Sequence, residues 1–198
     1  MDMFPAATPA QAQVLLSLPD ARLFEQAGRL REAVFGRKVD LCAIINARSG
    51  NCAMDCRFCS QSRHNHTPIA VFDLLPDETL RERILKLAAL PVSHIGIVTS
   101  GAALSEAELA RLRAVLAALP GDVRPRVCAS LGRLSSAQLE QLAQAGLTRY
   151  HHNLETAQGH YPHVCTTQTW EQRRDTVARA MRAGLAACTG GLFGLGES

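Results

Sequence analysis

The sequence predicts an α/β protein of the (β/α)8 TIM-barrel type, with about the N-terminal half to five-eighths of the barrel present. Short apolar runs alternate with amphipathic segments, and Gly, Pro or Ser marks the boundaries. This alternation predicts parallel strands with right-handed crossovers, in a doubly wound sheet or a barrel. One face of the predicted strands is polar, which favours a barrel whose lumen holds a ligand. The residues predicted on that face are Cys42, Asn46, Thr99, Arg126, Cys128, Ser130, Asn153, Glu155 and Cys188.

Residues 1–40 are interpreted as an N-terminal tail and a helix that precede the barrel. Residues 1–9 are rich in small residues and proline, which predicts a tail. A helix is predicted over residues 19–35, because apolar residues recur there at helical spacing, at Leu23, Ala27, Leu30 and Val34.

The barrel domain is predicted to cover residues 41–198 and to stop after its fifth strand. Its helices are expected to begin at Asp77, which follows a proline, and at Ser105, Ser135 and Thr167, which can cap a helix. A complete barrel needs three further strand–helix units, so we interpret the sequence as a fragment or truncation. The five predicted strands lie near residues 41–46, 94–99, 126–130, 148–153 and 186–190.

The composition excludes several classes of protein. The 198 residues are 47% hydrophobic with a net charge of +3 and no run of basic residues, so neither a nucleic acid nor a membrane is an expected partner. There is no export signal and no apolar run of membrane-spanning length, and we expect a cytoplasmic protein. Seven cysteines in such a chain favour metal or redox chemistry over a disulfide framework.

Three of those cysteines form a Cys-x3-Cys-x2-Cys motif in the loop after the first predicted strand. Cys52, Cys56 and Cys59 can hold a 4Fe-4S cluster and leave one iron open to a substrate or cofactor. The alternative is a zinc site that uses His64 and His66. Zinc normally takes four closed ligands, and the offset of these histidines matches none of the usual pairings.

The motif, with Phe58 just before its last cysteine, resembles the signature of radical S-adenosylmethionine enzymes. Further segments occur in the order found in the biotin synthase family, and together they extend the resemblance over residues 41–198. The ordered set is more specific than the three cysteines alone. The matching segments are residues 49–62, 100–103, 128–132, 152–156 and 188–197.

The resemblance implies a radical S-adenosylmethionine sulfurtransferase that inserts sulfur into dethiobiotin to form biotin. Cys52, Cys56 and Cys59 would bind the 4Fe-4S cluster, whose open iron takes S-adenosylmethionine and yields a 5′-deoxyadenosyl radical. A buried asparagine at a strand end can instead be bound by loop backbone, and a helix arginine can simply be solvated. The residues implied to contact the cofactor are Phe58 near the adenine, Ser100, Gly101 and Ala102 at the methionine end, Asn153 and Glu155 as catalytic residues, and Arg173.

The family also holds an auxiliary 2Fe-2S cluster, on three strand cysteines and a late arginine. Cys128 and Cys188 match two of these ligands, whereas the third falls at Thr99, whose hydroxyl stays protonated and is a poor ligand for iron. Cys42 on the first strand is the expected substitute, with a buried packing role as its alternative. Cys165 is expected to be a bystander.

Two other functions remain open at this point. One is another enzyme related to the biotin synthase family, such as a hydrogenase-cofactor maturase. The other is a non-catalytic iron-sulfur protein for electron transfer, which would normally close its cluster with a fourth cysteine. For the enzyme, the resemblance implies a flavodoxin or ferredoxin-like electron donor and a homodimer of the full-length protein.

Overall fold

The computed structural model describes residues 8–197, which fall into two compact units divided between Val39 and Asp40. In the first unit, α1 spans Pro9–Leu16 and α2 spans Asp20–Phe35. The prediction of α2 is confirmed. The prediction missed α1, which Thr8 begins with a capping box to Gln11. The rest of the predicted tail, residues 1–7, lies outside the described residues.

The second unit contains one parallel five-stranded sheet. Its strand order is β1-β2-β3-β4-β5, the same as the order along the chain. In a barrel each new strand is added to the same edge of the growing sheet, as it is here. In a doubly wound sheet the chain returns partway to the opposite edge of the first strand. The predicted fold class is therefore confirmed. The strands are β1 Cys42–Arg48, β2 His94–Thr99, β3 Val127–Ser130, β4 Arg149–His151 and β5 Ala186–Cys188.

The helices that connect these strands begin mainly at the predicted caps. Ser105 and Ser135 form capping boxes as expected. The predicted cap at Thr167 is wrong by two residues, since Thr169 caps the last helix and Thr167 binds a carboxylate in another loop. No helix in the described part of the chain is long and apolar enough to cross a membrane. The helices are α3 Asp77–Ala88, α4 Glu106–Ala117, α5 Ser136–Gln144, α6 Tyr161–Val164 and α7 Trp170–Arg182, with a 3-10 turn at Arg124–Arg126.

One face of the sheet packs against these helices and forms the core. Its strand residues are aliphatic or small and fully buried, and leucines from α3, α4 and α5 cover them. Such burial is the main stabilising contribution to the fold. The strand residues of this core are Ile45, Ala47, Ile95, Ile97, Val127 and Ala129.

The opposite face has the predicted polar character, with two corrections. Val98 pairs with both Asn46 and Ser130, so it occupies the position predicted for Thr99. The register shifts between Asn46 and Arg48, and Thr99 pairs with Arg48 beyond that shift. Arg126 is not a lumen residue, because its guanidinium donates to the carbonyl oxygens of Ala88, Leu90 and Val92.

Candidate metal and cofactor site

The cysteine loop folds back on itself at the carboxyl end of β1. The backbone amide of Cys52 donates to the carbonyl of Gln61, 3.0 Å away. The side-chain amide of Asn65 donates to the carbonyl oxygens of Cys56 at 3.0 Å and Cys59 at 2.8 Å. These bonds satisfy the loop's own polar groups, so the three thiols are free to face the adjoining cleft.

That cleft brings together most of the predicted cofactor residues. Cys52 and Cys56 are buried and Cys59 is half-buried along one wall. The residues of the predicted site that line the same cleft are Cys52, Cys56, Phe58, Cys59, Ser100, Gly101, Ala102, Glu155 and Arg173, and Thr99 lies beside them. Asn153 lies outside this lining and its side chain is exposed.

The donor set fits an iron-sulfur cluster. Across residues 8–197, no three His, Cys, Asp or Glu side chains converge closely enough to hold one metal ion. The thiolates that hold a four-iron cubane lie farther apart than the ligands of a single metal ion, because each thiolate binds a separate iron. His64, a residue of the zinc alternative, instead places its ring nitrogen 3.2 Å from the carbonyl oxygen of Ala53. Three soft sulfur donors in one loop beside an open cleft suit a cubane cluster.

The rim formed by residues 100–102 is held by side chains beneath it. The hydroxyl of Ser100 donates to the carbonyl of Gly50 at 2.7 Å. Arg48 donates to the carbonyl of Ser100 and pairs with Glu108 at 2.8 Å. Gly101 has a φ of +100°, and a Cβ there would overlap the Arg48 guanidinium. The rim therefore needs glycine at this position.

Glu155 and Arg173 form a buried ion pair at the far side of the cleft. The guanidinium of Arg173 lies 2.6 Å from the Glu155 carboxylate, and each residue is only 9% exposed. Arg173 also donates to the backbone carbonyl of Asn153. Burial raises the pKa of Glu155, while the Arg173 charge and a hydrogen bond from Asn153 oppose that rise. The alternative of a solvated arginine on a helix is therefore wrong.

Several residues in the cleft were not found from the sequence. Burial lowers the pKa of His152 to about 3, so its ring is neutral at neutral pH. Gly132 has a φ of +83°, and a Cβ there would overlap the Ala102 carbonyl. Met54, Gln61, Gly132 and His152 lie within the segments that match the family order, which was a usable signal, whereas nothing local marked Arg133 and Gln168. The additional lining residues are Met54, Gln61, Gly132, Arg133, His152 and Gln168.

Cys165, expected to be a bystander to the auxiliary cluster, makes contacts with the cysteine loop that the sequence did not predict. Its sulfur is buried, 3.5 Å from the sulfur of Cys56, and it donates to the Asp55 carboxylate at 3.2 Å. Thr166 and Thr167 each donate hydrogen bonds to the Asp55 carboxylate from a hydroxyl and from a backbone amide. These bonds hold the pKa of Asp55 far below its ordinary value, and the bond from the Thr166 hydroxyl contributes most. The cysteine loop is thus fastened to a segment more than 100 residues later in the chain.

The three remaining cysteines follow a regular stagger across the polar face of the sheet. Ile44, Gly96, Cys128, Arg149 and Ala186 are register partners in one row. Relative to that row, Cys42 on β1 lies two residues earlier and Cys188 on β5 two residues later. In an eight-stranded barrel with a shear number of eight, residues at the same height along the barrel axis shift by two positions between alternate strands. The three cysteines lie on alternate strands and show this shift of two residues.

The environments of these cysteines differ. Cys128 is buried, Cys188 is half-buried and Cys42 is exposed. Burial, with smaller contributions from the charges of Cys42 and Cys188, raises the pKa of Cys128 to about 11, and Arg149 opposes that rise. The thiols of Cys42 and Cys188 are therefore close enough to Cys128 to affect its ionisation.

Comparison with known proteins identifies the class. Residues 47–198 match the family model described as the Radical SAM superfamily. The chain belongs to the Radical SAM superfamily. Among curated relatives, the biotin synthase of Desulfovibrio desulfuricans is 62% identical over 197 residues, which cover 100% of this chain and 62% of the relative. The chain spans less than two thirds of the length of the curated relatives it matches.

Solved structures share the fold at low identity. Methylornithine synthase superposes with a TM-score of 0.80 at 21% identity, covering 96% of this chain and 57% of that chain. An FeFe-hydrogenase maturase from Carboxydothermus hydrogenoformans gives a TM-score of 0.80 at 20% identity, covering 96% of this chain and 46% of that chain. At this identity the likeness supports the fold alone, and it agrees with the partial barrel described above.

Proposed function

We propose that the protein is a biotin synthase, which uses S-adenosylmethionine radical chemistry to insert sulfur into dethiobiotin. The observation that carries the proposal is that the three-thiol loop and the buried Glu155–Arg173 pair face one cleft. The whole-chain identity of 62% to a curated biotin synthase supports the choice of substrate.

In this proposal each wall of the cleft has a role. The 4Fe-4S cluster with S-adenosylmethionine supplies the radical that abstracts hydrogen from the substrate. Cys52, Cys56 and Cys59 hold the cluster. Glu155, fixed by Arg173, binds the cofactor ribose and orients the substrate carbon. The remaining contacts are Phe58 with the adenine, Ser100, Gly101 and Ala102 with the methionine end, and Asn153 at the rim.

We further propose that Cys42, Cys128 and Cys188 hold an auxiliary iron-sulfur cluster that donates the sulfur atom. The even stagger of the three residues supports this ligand set, as does the contribution of Cys42 and Cys188 to the raised pKa of Cys128. Thr99 is not among the proposed ligands, because a protonated hydroxyl binds iron poorly. Cys42 therefore takes the part of the third thiolate.

The alternative of a hydrogenase-cofactor maturase is not favoured. The maturase matched here is 20% identical, whereas a biotin synthase is 62% identical. A non-catalytic electron carrier has no use for a buried Glu155–Arg173 pair beside the open iron. As partners we propose dethiobiotin, a flavodoxin or ferredoxin-like donor, and a second copy of the protein in a homodimer. The seven cysteines all lie in the described residues and none of them forms a disulfide, which supports a cytoplasmic location.

The test is anaerobic reconstitution of the intact protein with iron and sulfide. We expect a 4Fe-4S spectrum that changes when S-adenosylmethionine is added, and conversion of dethiobiotin to biotin with release of 5′-deoxyadenosine. Alanine at Cys52, Cys56 or Cys59 should abolish all three signals. The matched control is Ser60→Ala, an exposed residue of the same loop, which should keep them.

Three outcomes contradict the proposal in different ways. Tightly bound zinc without iron uptake contradicts the radical chemistry. Release of 5′-deoxyadenosine that is indifferent to dethiobiotin favours a related enzyme with another substrate. Reversible one-electron cycling without any 5′-deoxyadenosine favours the electron carrier.

A further inference from the structure

The sulfur of Cys56 has two polar neighbours that come from outside the cysteine loop. The side-chain amide nitrogen of Gln168 and the sulfur of Cys165 each lie 3.5 Å from it. Both residues are buried, at 8% and 3% exposure. A sulfur that binds iron has lost its proton and can only accept hydrogen bonds. The question is which neighbour donates to it.

Cys165 is already committed as a donor. Its single proton is directed to the Asp55 carboxylate, 3.2 Å away. A carboxylate oxygen is the stronger acceptor, and a thiol carries only one weak donor. Gln168 carries two N–H groups on its amide nitrogen. Gln168 is therefore the group that can donate to a deprotonated Cys56.

Gln168 is also held firmly on both sides. Thr167 before it donates from its hydroxyl to Asp55 at 2.8 Å, and from its backbone amide at 3.1 Å. Thr169 after it caps α7 with a capping box to Gln172. The backbone of Gln168 is thus fixed by the cysteine loop and by a helix start, which directs its amide at Cys56.

The surroundings of this contact are apolar. Cys56, Tyr161 and Cys165 form a small buried cluster, against which Phe58 and Trp170 pack. Hydrogen bonds are stronger in such a medium than in water. Reduction of an iron-sulfur cluster adds negative charge that is shared with its sulfur ligands, and hydrogen bonds to those sulfurs help set the potential.

We propose that Gln168 is a positioning residue that donates a hydrogen bond to the cluster-binding sulfur of Cys56 and makes the cluster easier to reduce. The inference rests on the proposed function, because it needs the 4Fe-4S cluster on Cys52, Cys56 and Cys59. It adds a residue that sets how readily the electron donor can reduce that cluster.

The test is a redox titration of the reconstituted intact protein, followed by electron paramagnetic resonance without substrate. Gln168→Leu keeps the iron content but lowers the equilibrium constant for one-electron reduction by up to about tenfold, equivalent to 59 mV. Gln168→Glu keeps the shape of the side chain, and at a pH where its carboxyl is ionised it gives a larger fall, because the carboxylate adds negative charge and removes the donor.

Two controls isolate the hydrogen bond. Cys165→Ala removes the other neighbour at the same distance and leaves the potential unchanged. Gln158→Leu makes the same chemical change at an exposed position and also has no effect. An unchanged potential in Gln168→Leu and Gln168→Glu, at full iron content, overturns this inference alone. Wild-type protein without a reducible cluster overturns the proposed function and this inference with it.

Loss of the cluster in a Gln168 variant is also informative. If Gln168→Leu and Gln168→Glu both lose iron while Cys165→Ala retains it, Gln168 is needed for cluster retention rather than for its potential. That result contradicts the tuning role stated here.

Discussion

Removal of Arg173 would leave the Glu155 carboxylate buried without its cation. The two side chains are only 10% and 12% exposed and lie 2.6 Å apart, so little water can replace the guanidinium. Loss of one partner from such a pair costs about 3–5 kcal/mol. We expect Arg173→Met to lower the free energy of unfolding by this amount near neutral pH, measured by urea denaturation of the cofactor-free protein.

The loss should depend on pH, with a sign fixed by Glu155. Burial already raises the folded-state pKa of Glu155, and removal of Arg173 raises it further. Between the pKa of Glu155 in the unfolded state and its higher pKa in the folded state, the folded protein holds a proton that the unfolded protein has lost. The free energy of unfolding therefore falls as the pH rises through this range. The variant should recover stability on acidification below that window.

A second substitution separates the charge from the packing. Glu155→Gln in the Arg173→Met background removes the buried charge and should restore part of the lost stability at neutral pH. Glu155→Gln alone is the matched control. A destabilisation of equal size at every pH, with no recovery in the double variant, would refute the reasoning.

Three other changes test separate parts of the site. Cys42→Ala should remove the auxiliary iron and biotin formation while 5′-deoxyadenosine release continues, and full biotin formation in this variant would exclude Cys42 as a ligand. Asp55→Ala should release the cysteine loop and raise its hydrogen exchange, whereas unchanged protection around Thr167 would contradict the fastening role. Gly132→Ala should destabilise the protein by about 1–3 kcal/mol, because it combines left-handed backbone with overlap at Ala102; an unchanged urea midpoint would show that this loop can relax.

The fold could be predicted from the sequence because its signals are local. Helical spacing and capping residues marked α2, α4 and α5. All five predicted strands are present, β2 with the predicted bounds and the other four with shorter or shifted ends. The helix α1 was missed because its first residues resemble a flexible tail. The cap of α7 was misplaced by two residues, although Gln172 completes a capping box with Thr169 and Trp170 cannot do so with Thr167.

The face of a strand is harder to predict than the strand itself. Ile95 and Ile97 belong to the core face, so strict alternation along β2 places Thr99 with them and Val98 on the opposite face. Val98 pairs with Asn46, ahead of the register shift between Asn46 and Arg48, so the shift is not the cause of the wrong prediction. The alternation of the two isoleucines was a usable signal in the local sequence of β2, and the assignment of Thr99 to the lumen did not follow it.

The surroundings of the cysteine loop could not be predicted for a different reason. Gln168 and Cys165 reach Cys56 across separations of 112 and 109 residues. Contacts of that range depend on the whole path of the chain, so no spacing rule reveals them. The cysteine motif itself was predictable because its three thiols lie within eight residues.

The hydrogen bonds that Thr166 and Thr167 donate to the Asp55 carboxylate span 111 and 112 residues, which has a consequence for synthesis on the ribosome. At typical rates of about 5–20 residues per second, roughly 5–20 seconds pass between the emergence of these partners. During that interval the thiols of the cysteine loop lack the later segment that packs against them, and they are open to oxygen and stray metal ions. A cluster bound before the later segment emerges would therefore lie on a loop that these hydrogen bonds do not yet fasten.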